Sequence, residues 1–382
     1  MTDAEPWGVV ASLVGASDLD GGHERVIAEI GPEKVAGVLV TELLSRCGPA
    51  AEESVVRLEL TGPDADDTGP VSGIAFDIGF GPEGAAVVEG ETSGADVRIT
   101  YPIADLARAL YGTRATGLRR QHELLARWPD DPDPAEVPPL LARRRRGVRA
   151  GHALLRELRP VPPALDDLAV TFGSDKWGGV HWYTPHYERH FAPLRDAPVH
   201  LLEIGIGGYD DPRAGGGSLR MWQRYFRRGL IYGLDVHDKR LDEPRVRTIR
   251  GDQSDSAFLD RLGSGLGGLD IVIDDGSHVN GHVLTSFAAL FPHVRPGGWY
   301  VIEDLQTSYW PSYGGGPSAP GTTMGLLRSL IDGLHHKEYD HGPGHEPSYT
   351  DAHVTGVHLY HNIAFIEKGY NDEPGPARKP QG

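Results

Sequence analysis

The sequence predicts an α/β protein whose second half is a parallel sheet wrapped by helices, preceded by a smaller α+β unit. Three observations predict it. From about Asp166 onward, short apolar runs alternate with helical stretches, the pattern of strands joined by crossover helices. Each apolar run ends at or near an acidic residue, as expected of a sheet whose strand ends line one crevice. Over the first hundred residues the pattern is different, with one helical run and several alternating runs broken by Gly, Pro and Asp. At 382 residues the chain is long for a single core, so two cores are expected. The division read from these patterns is an N-terminal auxiliary or oligomerisation domain over 1–127, a linker and connecting helix over 128–165, and a catalytic domain over 166–382.

In order along the chain, Glu33 to Cys47 has helical spacing, and Val55 to Leu60, Gly73 to Phe80 and Ala95 to Tyr101 alternate as strands do. A second helix is predicted from Ile103 to Gly112. Nothing in this half has the spacing of a nucleophile triad, a phosphate loop or a metal site, which leaves it a role in packing or assembly. Arg127 to Pro139 is rich in Pro and Asp and reads as linker. Arg143 to Arg149 (RRRRGVR) reads as a solvated helix face or a contact with an acidic neighbouring subunit. Five strands follow, at Val199 to Gly205, Leu230 to Val236, Val246 to Gly251, Leu269 to Asp275 and Gly298 to Asp304. Val357 to Gly369 reads as strand, turn and strand, with His358 and His361 packing rather than ligating.

The charge of −17, from 37 basic and 54 acidic residues, works against binding of polyanions, so neither nucleic acid nor membrane is an expected partner. A single cysteine, Cys47, forms no internal disulfide, and neither a leader pattern nor a run of some 18 apolar residues is found. A cytoplasmic protein is expected.

The first of the five strands runs straight into a glycine turn, LLEIGIGGY, where Gly205 and Gly207 allow close approach of a ligand to the backbone. A dinucleotide fingerprint would place a third glycine at 210, which is Asp210. Glu203 suits a cationic amino-acid moiety, such as S-adenosylmethionine carries. Asp235, ending the second strand, sits where a carboxylate accepts from both ribose hydroxyls. Asp252 and Gln253, after the third, can hydrogen-bond adenine, and Asp274 is assigned to the same cofactor group.

The fourth strand ends in IDDGSH and the fifth in IEDLQ, which brings Asp274, Asp275, Glu303 and Asp304 together. Carboxylates that close raise one another's pKa or recruit a cation, and an oxygen-only set suits Mg²⁺, or Mn²⁺ as a relative. Asp275, Glu303 and Asp304 are the expected ligands, leaving positions for two vicinal oxygens of a diol. His278 on the same loop is the expected general base, and His282 is expected at the surface.

Together GSDKWG (Gly173 to Gly178), HWYTPHY (His181 to Tyr187), LEIGIGGY, GGGSLRMW (Gly215 to Trp222), GDQSD, IVIDDGSHVN and VIEDLQTSYWP resemble the metal-dependent sugar O-methyltransferases of macrolide and related polyketide biosynthesis. The resemblance spans about Asp166 to Asp372 and continues more weakly before it. It implies a class I methyltransferase fold, Rossmann-like, with a C-terminal antiparallel hairpin, and an N-terminal domain that helps build a homotetramer. It implies the same metal ligands and base, and a segment from Ser174 to Tyr187 that closes over cofactor and substrate. Tyr209 and Ser218 would lie near the methionine end. Trp182, Tyr183, His186, Gln306, Tyr309 and Trp310 would form a substrate wall, aromatic rings there suiting a sugar or an apolar aglycone. The implied acceptor is the 2-hydroxyl of a rhamnose-like deoxysugar on a glycosylated polyketide, with the 3-hydroxyl next and a catechol-type reaction as the rival.

Overall fold

A computed structural model describes residues 6–50, 52–62, 73–88, 94–112, 121–125, 136–158, 164–177, 180–339 and 346–373. The N-terminal half opens with helices α1 (Pro6–Gly15), α2 (Gly22–Ile30) and α3 (Pro32–Arg46). A five-stranded sheet follows, from β1 (Ser54–Thr61), β2 (Gly73–Gly81), β3 (Gly84–Val87), β4 (Val97–Pro102) and β5 (Gln121–Leu124), in the order β3-β2-β1-β4-β5. β1 runs antiparallel to β2 and parallel to β4. Its alternation buries Val56, Leu58 and Leu60 on one face, which fixes the register.

The sequence predicts one helix before the first strand, and the described residues form three. α1 (PWGVVASLVG) is apolar on nearly every side and so shows no clear 3.6-residue stripe, while α2 buries Val26 and Ile27 on one face but is only nine residues long, too short for its period to stand out. After α4 (Ile103–Tyr111), helix α5 (Val137–Arg156) falls in the predicted connecting stretch but packs on β1 and β4. Gly147 permits this contact, because a Cβ there would stand 3.0 Å from Asp96 O. The proline-rich stretch of the expected linker, from 127 to 135, lies outside the described residues.

The C-terminal half holds α6 (Leu165–Phe172), α7 (Thr184–Phe191), β6 (His200–Ile204), α8 (Gly217–Tyr225), β7 (Leu230–Asp235) and β8 (Val246–Arg250). After these come α9 (Ser256–Gly265), β9 (Leu269–Asp274), α10 (Asn280–Leu290), β10 (Val294–Ile302), α11 (Thr323–Gly333), α12 (Tyr349–His353), β11 (Val354–Tyr360) and β12 (Ile363–Lys368). The seven-stranded sheet has the order β11-β12-β10-β9-β6-β7-β8. Strands β6 to β10 are parallel, and β11 and β12 form the antiparallel hairpin at one edge, as the sequence predicts. The chain builds outward from β6 through β8 and then crosses back to place β9 on the other side of β6. Strand order therefore reverses between β6 and β9, which opens a crevice beyond their carboxyl ends.

Among the described residues there are two apolar cores. One joins the whole N-terminal unit to one face of the seven-stranded sheet, running from Val9 and Leu39 through Leu58 to Leu202, Leu234 and Val272. The other lies on the opposite face, under α6, α7 and α8. Neighbouring residues of a strand point to opposite faces, so both faces of so apolar a sheet need cover, and the N-terminal unit supplies one. Trp7 of α1 packs on Tyr232 of β7, ring centres 5.3 Å apart. Among the described residues, no helix is long and apolar enough to cross a membrane.

Candidate active site

The crevice has a volume of about 750 Å³ and is lined by the turns that follow β6, β7, β8 and β9. Gly205, with φ +96°, lies against the next turn, where a Cβ would stand 2.1 Å from Asp275 O. Only glycine fits there. Gly205, Gly207, Tyr209, Ser218, Asp235, Asp252 and Gln253 all line the crevice. Tyr209 is 86% exposed at its mouth. Asp235 Oδ2 accepts from Ile206 N at 3.0 Å and Oδ1 from His237 N at 2.9 Å. Each oxygen keeps a further lone pair, so the carboxylate is pinned yet able to accept from a ligand.

Glu203 and Asp274 sit elsewhere than the sequence reading placed them, for neither lines the crevice. Glu203 is fully buried, accepts from Trp222 Nε1 at 3.0 Å and pairs with Lys176 Nζ at 3.1 Å. Burial pushes its carboxyl up to about 7 even though Lys176 pulls it down. Asp274 lies under Gln253 Nε2 at 2.6 Å and also accepts from Ser286 Oγ. Burial raises it to about 6 against those two hydrogen bonds. Its place is behind Gln253, which it orients.

Above Glu203, the side chains of Asp275, His278 and Asp304 converge, each offering a ligand atom within 4.8 Å of the others. His278 Nε2 lies 3.3 Å from Asp304 Oδ2. Both residues hold left-handed backbone, His278 at φ +56° and Asp304 at φ +54°. Such conformations are uncommon outside glycine and persist where the surroundings over-determine them. Asp304 Oδ1 accepts from Tyr183 OH at 3.1 Å and lies 3.4 Å from His181 Nε2. Glu303 stands apart from this trio. Its Oε1 accepts from Lys176 Nζ at 2.6 Å and from Tyr187 OH, and burial first, then Asp275, raise its carboxyl well above the ordinary range.

Lys176, to which the sequence assigns no role of its own, is the hub of the site floor. It is fully buried and also donates to Asp275 Oδ2 at 2.8 Å. Burial alone would drive its ammonium toward neutrality, but Asp275, Glu303 and Glu203 outweigh it and raise the pKa. The acidic cluster thus carries an internal counter-ion, where a metal alone was expected to compensate it. The signal in the sequence was the lone lysine of GSDKWG, on a different segment from the acids it meets. His181, Tyr187 and His282 were likewise unassigned or set aside, although His282 lines the crevice.

Of the expected substrate wall, Trp182, Tyr309 and Trp310 are exposed. Trp177 meets Trp182 edge-on at 4.7 Å. Gln306 Oε1 is shielded from solvent and accepts no hydrogen bond from the described residues. Tyr183 is buried beneath, on Asp304, and His186 stacks on Tyr360 of the hairpin at 3.9 Å.

The two hard carboxylates of Asp275 and Asp304 suit a divalent cation, with the His278 imidazole beside them, at the mouth of a crevice whose open glycine turn suits an extended nucleoside ligand. Residues 10–118 match the family described as MycE methyltransferase N-terminal. The chain is 42% identical to the mycinamicin VI 2''-O-methyltransferase of Micromonospora griseorubida over 379 residues, 94% of this chain and 90% of that one. It is 44% identical over 378 residues to the 8-demethyl-8-alpha-L-rhamnosyl tetracenomycin-C 2'-O-methyltransferase of Streptomyces olivaceus, 96% of each chain. A solved structure of MycE methyltransferase from the mycinamycin pathway, in complex with Mg, SAH and mycinamycin VI, superposes with TM-score 0.84 at 41% identity, covering 98% of this chain and 96% of that one.

Proposed function

Because this chain belongs to the MycE-like family of sugar O-methyltransferases of macrolide and polyketide pathways, we propose that it methylates a sugar hydroxyl of a glycosylated polyketide, with S-adenosylmethionine as methyl donor and Mg²⁺ or Mn²⁺ at the acceptor. The finer reading is the 2-hydroxyl of a rhamnose-like deoxysugar, by a cytoplasmic homotetramer whose residues 1–127 serve assembly. The observation that carries the proposal is the convergence of Asp275, His278 and Asp304 at the open end of a glycine-turn crevice.

Asp275 and Asp304 would hold the cation, with Glu303 behind them, and the bound cation would lower the pKa of an acceptor hydroxyl. His278 takes the proton through Nε2 as the acceptor oxygen bonds to the methyl carbon and the carbon–sulfur bond breaks in line. Lys176 fixes Asp275 from below, so that one carboxylate oxygen is tied and the carboxylate keeps its orientation. The exposed rings of Trp182, Tyr309 and Trp310 offer stacking surface for sugar and aglycone.

The test is methyl transfer to a rhamnosylated polyketide glycoside with and without EDTA, the product located by NMR. Methylation of one sugar hydroxyl, abolished by EDTA and restored by Mg²⁺, is expected, and Asp275→Ala should abolish turnover while S-adenosylhomocysteine still binds. Transfer indifferent to EDTA would remove the metal from the mechanism, and a preference for free catechols would replace the sugar with an aromatic acceptor.

A further inference from the structure

Gln253 and His282 both face the nucleoside side of the crevice, and their hydrogen bonds separate their roles. Gln253 Nε2 donates to Asp274 Oδ1 at 2.6 Å and to Ser286 Oγ at 3.3 Å, while its Oε1 accepts from Ser277 N at 2.9 Å. Both amide protons are committed to the protein. His282, in the first turn of α10, has Nδ1 at 2.9 Å from Ser277 Oγ, and that hydroxyl also accepts from Val279 N at 3.3 Å. In the tautomer where the Ser277 hydroxyl donates to Nδ1, a neutral imidazole carries its own proton on Nε2, an N–H donor for the crevice that His282 lines.

Asp252 lies on the same side as an acceptor. Its Oδ1 is tied by Ser254 N at 2.8 Å and Ser254 Oγ at 2.7 Å. Those donors hold its carboxyl below the ordinary range, and Asp252 and His282 line the same crevice. An acceptor beside a donor complements the edge of adenine, where N6 donates and N1 accepts. Hypoxanthine presents the reverse, with O6 accepting and N1 donating.

We propose that His282 is a specificity-determining residue for the methyl donor, its Nε2–H donating to adenine N1 while Asp252 accepts from the N6 amino group. This rests on reading the crevice as the S-adenosylmethionine site.

The experiment is calorimetric titration of the full chain with S-adenosylhomocysteine and with S-inosylhomocysteine, for the wild type and for His282→Ala, His282→Phe and His282→Gln. Phenylalanine keeps the bulk of the ring without its donor, and glutamine places an amide N–H near the position of Nε2. The wild type should favour the adenine ligand by about tenfold or more, the size expected of one hydrogen bond made against one clash of donors. Alanine and phenylalanine should each weaken the adenine ligand by about tenfold and the inosine ligand little, and glutamine should restore most of the preference. Equal losses for both ligands, or no loss, would overturn the role of His282. A wild type that binds neither ligand would overturn the cofactor reading itself.

Discussion

Lys176 shows how one side chain decides the state of several others. Three carboxylates meet its buried ammonium, those of Glu203 and Glu303 also buried and that of Asp275 open on one side to the crevice. Removing one partner from such a buried set leaves charges without compensation, a larger loss than the pairing itself contributes. Lys176→Met should therefore destabilise the protein by about 3–5 kcal/mol, read from the midpoint of urea unfolding at constant slope. An unchanged midpoint would mean that the carboxylates simply take up protons. The acids themselves were legible in the sequence, since each ends an apolar run. Their counter-ion was not, because Lys176 and Glu303 are separated by 127 positions and the glycine-rich run around the lysine carries no period that points at β10.

At the scale of elements, α3 is tied to the catalytic half by a buried cluster. Glu42 accepts from Arg46 Nη2 at 2.7 Å and from Arg245 Nη2 at 3.0 Å, while Arg245 also donates to the carbonyls of Gln223, Phe226 and Gly229. The loop before β8 is thereby fastened to α3 and to the end of α8. Glu42→Gln removes the one anion between two guanidiniums and should cost about 3–5 kcal/mol, with a loss of cooperativity between the two halves. Coincident shifts in far-ultraviolet circular dichroism and tryptophan fluorescence would instead show that the halves still unfold together. β6, β7, β9 and β10 were legible because each is a short apolar run with an acid at or near its end. β10 begins earlier than predicted, at Val294 rather than Gly298, because its first residues pair across an irregular register with β9. α1 was missed because its cover is tertiary: what gives it a buried face is Tyr232 and its neighbours, not a polar side of its own.

For the whole molecule, the shared core makes acid stability a property of both halves. Burial alone would raise Glu42, but Arg245 and Arg46 together lower it to about 2, against an ordinary 4.5. A carboxyl with a depressed folded pKa contributes stability that is fully present above the unfolded value and is lost as pH falls through the folded one. The contribution should thus be complete above about pH 4.5 and disappear toward pH 2, amounting to about 3 kcal/mol by linkage. Unfolding free energies between pH 2 and 6 would show this as a slope absent from Glu42→Gln.

The sequence by itself determined the alternation of strand and helix after Asp166, the glycine turn that opens the crevice, and the acids at the strand ends. Those are local facts, fixed by side-chain period and by the positive φ that Gly205 and Gly207 supply. Only the tertiary structure decided which acids face the crevice. Glu203 and Asp274 fall on the buried side of their strand ends and meet Lys176, Trp222, Gln253 and Ser286, whereas Asp275 and Asp304 emerge beside His278. The physical reason is that a carboxylate's role depends on the cation or donor that reaches it, and those partners arrive from segments distant in sequence.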